Sequence, residues 1–213
     1  GRDVKDWYSI EFKNSNKSEY KYEGDWRKTE KRIAEIKVRG GETVYDTVIY
    51  THHGPVVYEK GDEKTGTQSL NLALSWTAHD PSNELMTMHL LNKGKNYEDY
   101  EDAIQYFDCP GQNIVFADHS GNIAIRQQGK FPARWKEHGK FLMDGSKEIN
   151  DWQGRIPQKE NAHIKNPERG FVSSANQHPT DSAYPYYYTG IFEYYRNRRL
   201  NGELRRMENI TTS

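Results

Sequence analysis

The chain has 213 residues, enough for one large domain. Its 30 Lys and Arg balance 31 Asp and Glu, so the basic excess of a phosphate-driven nucleic-acid binder is missing. A hydrophobic fraction of 34% is low for a globular domain; 15 Tyr and 5 Trp make up part of the deficit, because each buries a ring and keeps a polar handle. Cys109, the single cysteine, excludes an internal disulfide and any Cys-rich zinc or iron–sulfur site. It follows a helical pattern and precedes Pro110, so it reads as a packed thiol rather than a nucleophile. No apolar run reaches the roughly 18 residues of a membrane-spanning helix, and no signal peptide is visible. The start at Gly1-Arg2-Asp3 without Met looks like a processed or recombinant terminus.

Asp3 and Asp6 flank a turn before an alternating stretch to Phe12 that predicts a strand; two such carboxylates either face solvent or supply oxygens to a cation. Glu23-Gly24-Asp25-Trp26 reads as a turn. Glu30 to Arg39 has no clear period. Gly40-Gly41 is a hairpin signal, and Glu42 to Tyr50 reads as a strand rich in β-formers. In Thr51-His52-His53-Gly54-Pro55-Val56-Val57-Tyr58, neighbours on a strand point to opposite faces, so His52 and His53 are not expected to share an ion. A metal site built from His52, His53, His119 and His178 lacks both a His-x-x-x-His spacing and a matched carboxylate. Gly61 to Gln68 reads as a loop, and Ser69 to Trp76 alternates as a half-buried strand.

Asp80 as N-cap, Pro81 at the first position and Glu84 in the first turn predict a helix with an apolar stripe of Leu85, Met88, Leu90 and Leu91, closed by Gly94. Asn96 caps a second helix, with Tyr97, Tyr100, Ile104 and Phe107 on its buried face. Gln112 to Arg126 is a hairpin around Asp-His-Ser-Gly-Asn. From Gly129 to Arg155 the chain is loop-rich, with Trp135, Phe141 and Trp152 as expected anchors. Ile191 to Met207 reads as a terminal helix whose arginines form a solvated face.

The organising stretch is Phe171-Val172-Ser173-Ser174-Ala175-Asn176-Gln177-His178-Pro179. It predicts a short buried strand delivering Asn176 at its end, where Pro179 forbids further pairing. An amide held there either satisfies the turn that Pro179 starts or donates a hydrogen bond to a developing oxyanion; the stretch alone favours the turn.

Several segments together resemble the penicillin acylase (penicillin amidase) family of N-terminal-nucleophile hydrolases. They are Asp3-Val4-Lys5-Asp6-Trp7-Tyr8, Thr51 to Val57, Leu74-Ser75-Trp76-Thr77-Ala78, Gln112 to Asp118 with Gly121-Asn122-Ile123, Trp152 to Pro157, Asn166-Pro167 with Gly170, Ser174 to Pro179, Tyr184-Pro185 and Tyr195 to Leu200. Each is weak alone; their shared order from residue 3 to about 205 makes the set specific.

The resemblance implies a four-layer αββα fold of the α+β class, with 1–213 forming a single domain from the central part of the large subunit. It implies amide hydrolysis through an acyl-enzyme on an N-terminal Ser, exposed by self-cleavage of a zymogen, with the α-amine as base. An α-amine titrates near ~7.7–8.0 and accepts a proton close to neutral pH. The resemblance places Asn176 on the oxyanion-hole Asn and Arg196 on the Arg that orients it, and this turns the reading of Asn176 toward function. It also places calcium on Asp3, the carbonyl of Lys5, and Asp6. Where the family has a further Asp ligand after Tyr-Pro, this chain has Tyr186-Tyr187-Tyr188, so a weak site is expected. The chain begins downstream of the nucleophile, so it is expected to be inactive alone and to work with the rest of its precursor, the small subunit and the nucleophile segment. A piece of a larger fold is also expected to expose extra apolar surface. The substrate would be a small acylated amide, either a β-lactam side chain, as in antibiotic metabolism, or an N-acyl-homoserine lactone, in a periplasmic or extracellular setting. The alternative is a non-catalytic homologue that binds acyl or aromatic ligands or a protein partner.

Overall fold

The computed structural model describes residues 3–61, 69–190 and 192–208; most of the predicted loop from Gly61 to Gln68 lies outside them. In chain order the elements are β1 (Lys5–Ile10), β2 (Glu19–Tyr22), β3 (Asp25–Lys28), β4 (Glu30–Ile36), β5 (Val44–Thr51), β6 (Gly54–Tyr58), β7 (Asn71–Trp76), α1 (Glu84–Leu91), α2 (Tyr97–Ile104), β8 (Gln112–Ala117), β9 (Ile123–Gln128), β10 (Met143–Asp144), β11 (His163–Lys165) and α3 (Tyr195–Leu204). The chain forms two compact units. One joins Lys5–His79 to Lys136–Gln153; the other joins Gly1–Val4, Asp80–Trp135 and Gly154–Ser213.

The first unit is built on a six-stranded sheet in the order β10-β1-β7-β6-β5-β4, antiparallel except where β10 runs parallel to β1. β1 alternates as expected, with Asp6, Tyr8 and Ile10 buried. Tyr20 and Tyr22 of β2 are buried by the same period, and the β2–β3 turn uses Glu23 and Gly24, both at positive φ as a tight two-residue hairpin requires. The ambiguous stretch after Glu30 is a strand. β4 pairs with β5 from Glu30↔Tyr50 to Ile36↔Val44, around the expected Gly40-Gly41 connection, and is exposed throughout. Partners along this ladder, not hydrophobic period, set its conformation.

His52 and His53 correct an expectation. They occupy the two-residue turn closed by the Thr51↔Gly54 pair, not a strand, so the rule that neighbours face opposite ways does not apply. Their rings lie 3.8 Å apart, centroid to centroid. The positive φ this turn needs falls on Gly54, at +122°.

The second unit carries the three-stranded sheet β11-β9-β8 and the three α-helices found among the described residues. Asn96 caps α2 as expected: its Oδ1 accepts from the Asp99 N–H at 2.8 Å, and the Asp99 carboxylate accepts from the Lys95 N–H at 2.8 Å. Tyr100, Ile104 and Phe107 are buried. At the β8–β9 turn, Asn122 donates from backbone and side chain to the Asp118 carboxylate, at 2.9 and 2.8 Å, and holds it below its usual range.

Three further expectations are corrected. Asp80 does not cap α1, which starts at Glu84 after Asn83; the Asp80 carboxylate is taken by Arg155 at 2.9 Å and Lys130 at 3.3 Å. The α1 stripe is not a core face, since Leu85 is 82% exposed and Met88 is also exposed, while Thr87 is the buried residue. Phe141 is exposed rather than a buried anchor; Phe131, Pro132, His138 and Met143 are the fully buried side chains described in that loop-rich region. Ile33, Tyr45, Val115 and Tyr195 add to the exposed apolar surface. Among the described residues no helix is long and apolar enough to cross a membrane.

Two outcomes follow. A Cβ at residue 54 would lie 2.3 Å from the backbone oxygen of Leu74, at a φ that L-residues rarely adopt. Gly54→Ala should therefore cost at least about 2 kcal/mol, read as a lowered urea midpoint. Thr87 Oγ1 donates to the Ala103 carbonyl at 2.9 Å and ties α1 to α2. Thr87→Val keeps the shape but removes that donor between the helices, and should cost about 0.5–1.5 kcal/mol in the same assay.

Candidate functional site

The stretch from Phe171 to Ala175 forms no strand. It joins no ladder, and Asn176 at its end is exposed rather than buried. Side chains replace the missing ladder. Gln177 closes the segment on itself, its Oε1 accepting from the Ala175 N–H at 2.7 Å and its Nε2 donating to the Ser173 carbonyl at 2.9 Å. Asn113 of β8 donates to Ser174 Oγ at 2.6 Å. Buried Ser173 donates to Asn201 Oδ1 at 3.0 Å, and Asn201 donates to the Asn197 carbonyl at 2.8 Å within α3. Asn176 sits at φ +60°, in the left-handed region that Asn tolerates better than most residues.

α3 places Arg196 in its first turn, and the guanidinium donates a hydrogen bond to Asn176 Oδ1. The two residues expected to act together are therefore in direct contact. This contact sets the amide's orientation: with Oδ1 accepting from Arg196, Nδ2 points the other way, and a flipped amide would put N–H against N–H. Among the described residues Nδ2 has no hydrogen-bond partner. The result is a donor with a fixed direction, polarised by an adjacent positive charge. A groove of about 1100 Å³ in the same unit is lined by Ser173, Gln177, His178, Asn197 and Asn201 among others, but by neither Asn176 nor Arg196.

Asp3 belongs to the second unit, and Lys5 and Asp6 belong to the first. Asp3 donates its N–H to the Thr189 carbonyl at 3.1 Å; its own carbonyl accepts from Arg134 at 3.1 Å, and its carboxylate lies 3.8 Å from that guanidinium. Lys5 opens β1 with its side chain exposed. Asp6 is buried; its Oδ2 accepts from Trp152 Nε1–H and lies 3.9 Å from His138 Nε2. A hard cation wants oxygen neighbours. Calcium at either carboxylate would compete with these neighbours for the same oxygens.

Sequence reading missed Ser173, Gln177 and Asn201, the residues that hold Asn176 and Arg196 in place. Short polar side chains in a loop and on a helix carry no period that would single them out.

The penicillin amidase family model matches residues 1–213. Relatives include penicillin G acylase of Escherichia coli, 28% identical over 162 residues, covering 75% of this chain and 18% of that protein. Acyl-homoserine lactone acylase QuiP of Pseudomonas fluorescens is 27% identical over 158 residues, covering 74% and 19%. The chain thus spans about a fifth of the length of these curated relatives. Among solved structures, a thermostable penicillin G acylase from Alcaligenes faecalis matches 99% of this chain and 37% of its own, with a TM-score of 0.75 at 22% identity, which bears out the α+β fold class. The chain belongs to the penicillin amidase family.

Proposed function

We propose that the protein containing this chain hydrolyses an acyl amide, and that Asn176 and Arg196 serve its oxyanion site. The observation that carries this is the Arg196 hydrogen bond to Asn176 Oδ1, which leaves Nδ2 aimed outward as a donor. In the proposed reaction an N-terminal Ser of the mature enzyme attacks the acyl carbonyl, and its α-amine takes the hydroxyl proton. Negative charge develops on the carbonyl oxygen. Nδ2 of Asn176 donates to that oxygen, and the Arg196 charge strengthens the donor. Collapse of the intermediate expels the amine and leaves an ester on Ser; water then releases the acid. Family membership supports the acyl amide as substrate class. The relatives' names point to two leaving groups, a β-lactam nucleus and a homoserine lactone. Self-cleavage of a precursor, association with a small subunit and a periplasmic or extracellular location belong to the same reading. So does calcium on Asp3, Lys5 and Asp6, which would have to displace the Arg134, Trp152 and His138 contacts; no step above depends on it.

The test uses the complete protein, with intact mass and N-terminal analysis followed by assays on penicillin G and an N-acyl-homoserine lactone. A mature chain starting with Ser should be active. Asn176→Ala should lower kcat by about 10²–10³-fold with little change in KM, because the lost bond forms mainly in the transition state. Arg196→Lys keeps the charge, loses the planar fork and should lower kcat less. A protein with no hydroxyl or thiol at its mature terminus, or one that keeps full activity as Asn176→Ala, would leave only the binding alternative. Calcium in excess should raise the melting temperature only slightly; strong stabilisation would mean the three residues hold it well.

A further inference from the structure

His52, His53 and Asp151, all in the first unit, present one donor atom each within 4.8 Å of one another. His53 Nδ1 lies 3.6 Å from Asp151 Oδ1, and His52 Nε2 lies 3.4 Å from Asp151 Oδ2. For bonds of ~2.0–2.2 Å to N and O, tetrahedral ligand atoms stand on the order of 3.3–3.5 Å apart, so both spacings are near those of ligands on one ion.

The tautomer of His53 carries the argument. Its Nε2 meets the Gly145 carbonyl at 3.0 Å, and a carbonyl only accepts, so Nε2 holds the proton. In that tautomer of the neutral ring, Nδ1 bears the lone pair. That lone pair faces Asp151 Oδ1, a buried oxygen with no hydrogen-bond partner among the described residues. Two lone-pair atoms facing each other inside a protein repel unless something positive lies between them.

Each of the three side chains also has an outer partner of the kind metal ligands use. Gly145 orients His53. Tyr22 donates to Asp151 Oδ2 at 2.5 Å. Tyr20 meets His52 Nδ1 at 2.8 Å, which leaves His52 Nε2 free to ligate when Nδ1 carries the proton. Tyr8 stacks on His53 with centroids 3.8 Å apart, and Gly54 fixes the turn. Arg27, over the Tyr22 ring at 3.7 Å, is the opposing charge. We propose that His52 Nε2, His53 Nδ1 and the Asp151 carboxylate form a binding site for a borderline divalent ion, zinc first, with water completing the shell. Two imidazoles and one carboxylate select such an ion over calcium.

The experiment is a zinc titration of the chelator-stripped 213-residue chain against a chromophoric competitor, with cobalt as spectroscopic stand-in. Expected are one zinc per chain, a tetrahedral cobalt spectrum, and a shift of the His53 Nδ1 resonance on zinc addition. His52→Ala and Asp151→Asn should each weaken binding at least about tenfold, while His119→Ala, on the exposed β8–β9 turn, should bind as the parent does. His52 is partly exposed, so its variant reads the site even if Asp151→Asn unfolds. Zinc that binds substoichiometrically, binds His52→Ala equally well, or leaves the His53 Nδ1 resonance unmoved overturns the proposal.

Discussion

Asn161 donates from its side chain to the Gly129 carbonyl at 2.9 Å, deep inside the second unit, and contacts of this kind hold the molecule together. Gln128 reaches the Phe107 carbonyl, Thr87 the Ala103 carbonyl and His53 the Gly145 carbonyl, each buried. Few residues are apolar, so the interior includes many polar side chains. Each such group costs free energy unless it finds a partner. The partners are mostly backbone carbonyls of irregular segments, and so the same bonds that satisfy the core also fix the loops.

The Asn176 segment shows the consequence for chemistry. With no ladder to hold it, its geometry rests on Gln177, Ser173, Ser174 and their partners, and Asn201 links it to the helix that carries Arg196. An amide at positive φ on such a loop is strained, and strain of that kind persists only where surrounding contacts outweigh it. Here they do, and the outcome is a donor held in one direction. The histidine turn works on the same principle in the first unit. Gly54 absorbs the unusual backbone, and Gly145, Tyr20 and Tyr22 set three donor atoms toward one point.

Strands with a period of two were legible from their alternation along the chain. So were the Asn96 cap, whose acceptor lies three residues before the N–H it satisfies, the turn at Gly24 and the hairpin marked by Gly40-Gly41. The family could be read from the order of its short motifs, because ordered segments over two hundred residues rarely match by accident. Errors fell where long-range partners compete with local preference. Asp80 has the chemistry of a helix cap, yet two cations that arrive from residues 130 and 155 take its carboxylate.

The sequence by itself determined the α+β class, most of the strands before Trp76 and the identity of Asn176 and Arg196 as residues to watch. These depend on local period, turn chemistry and motif order, all of which lie along the chain. Only the tertiary structure decided that Arg196 turns the Asn176 amide outward, that the segment before it joins no ladder, and that His52 and His53 converge on Asp151. Those outcomes depend on contacts between residues 20 to about 100 positions apart, whose distance and direction no local pattern encodes.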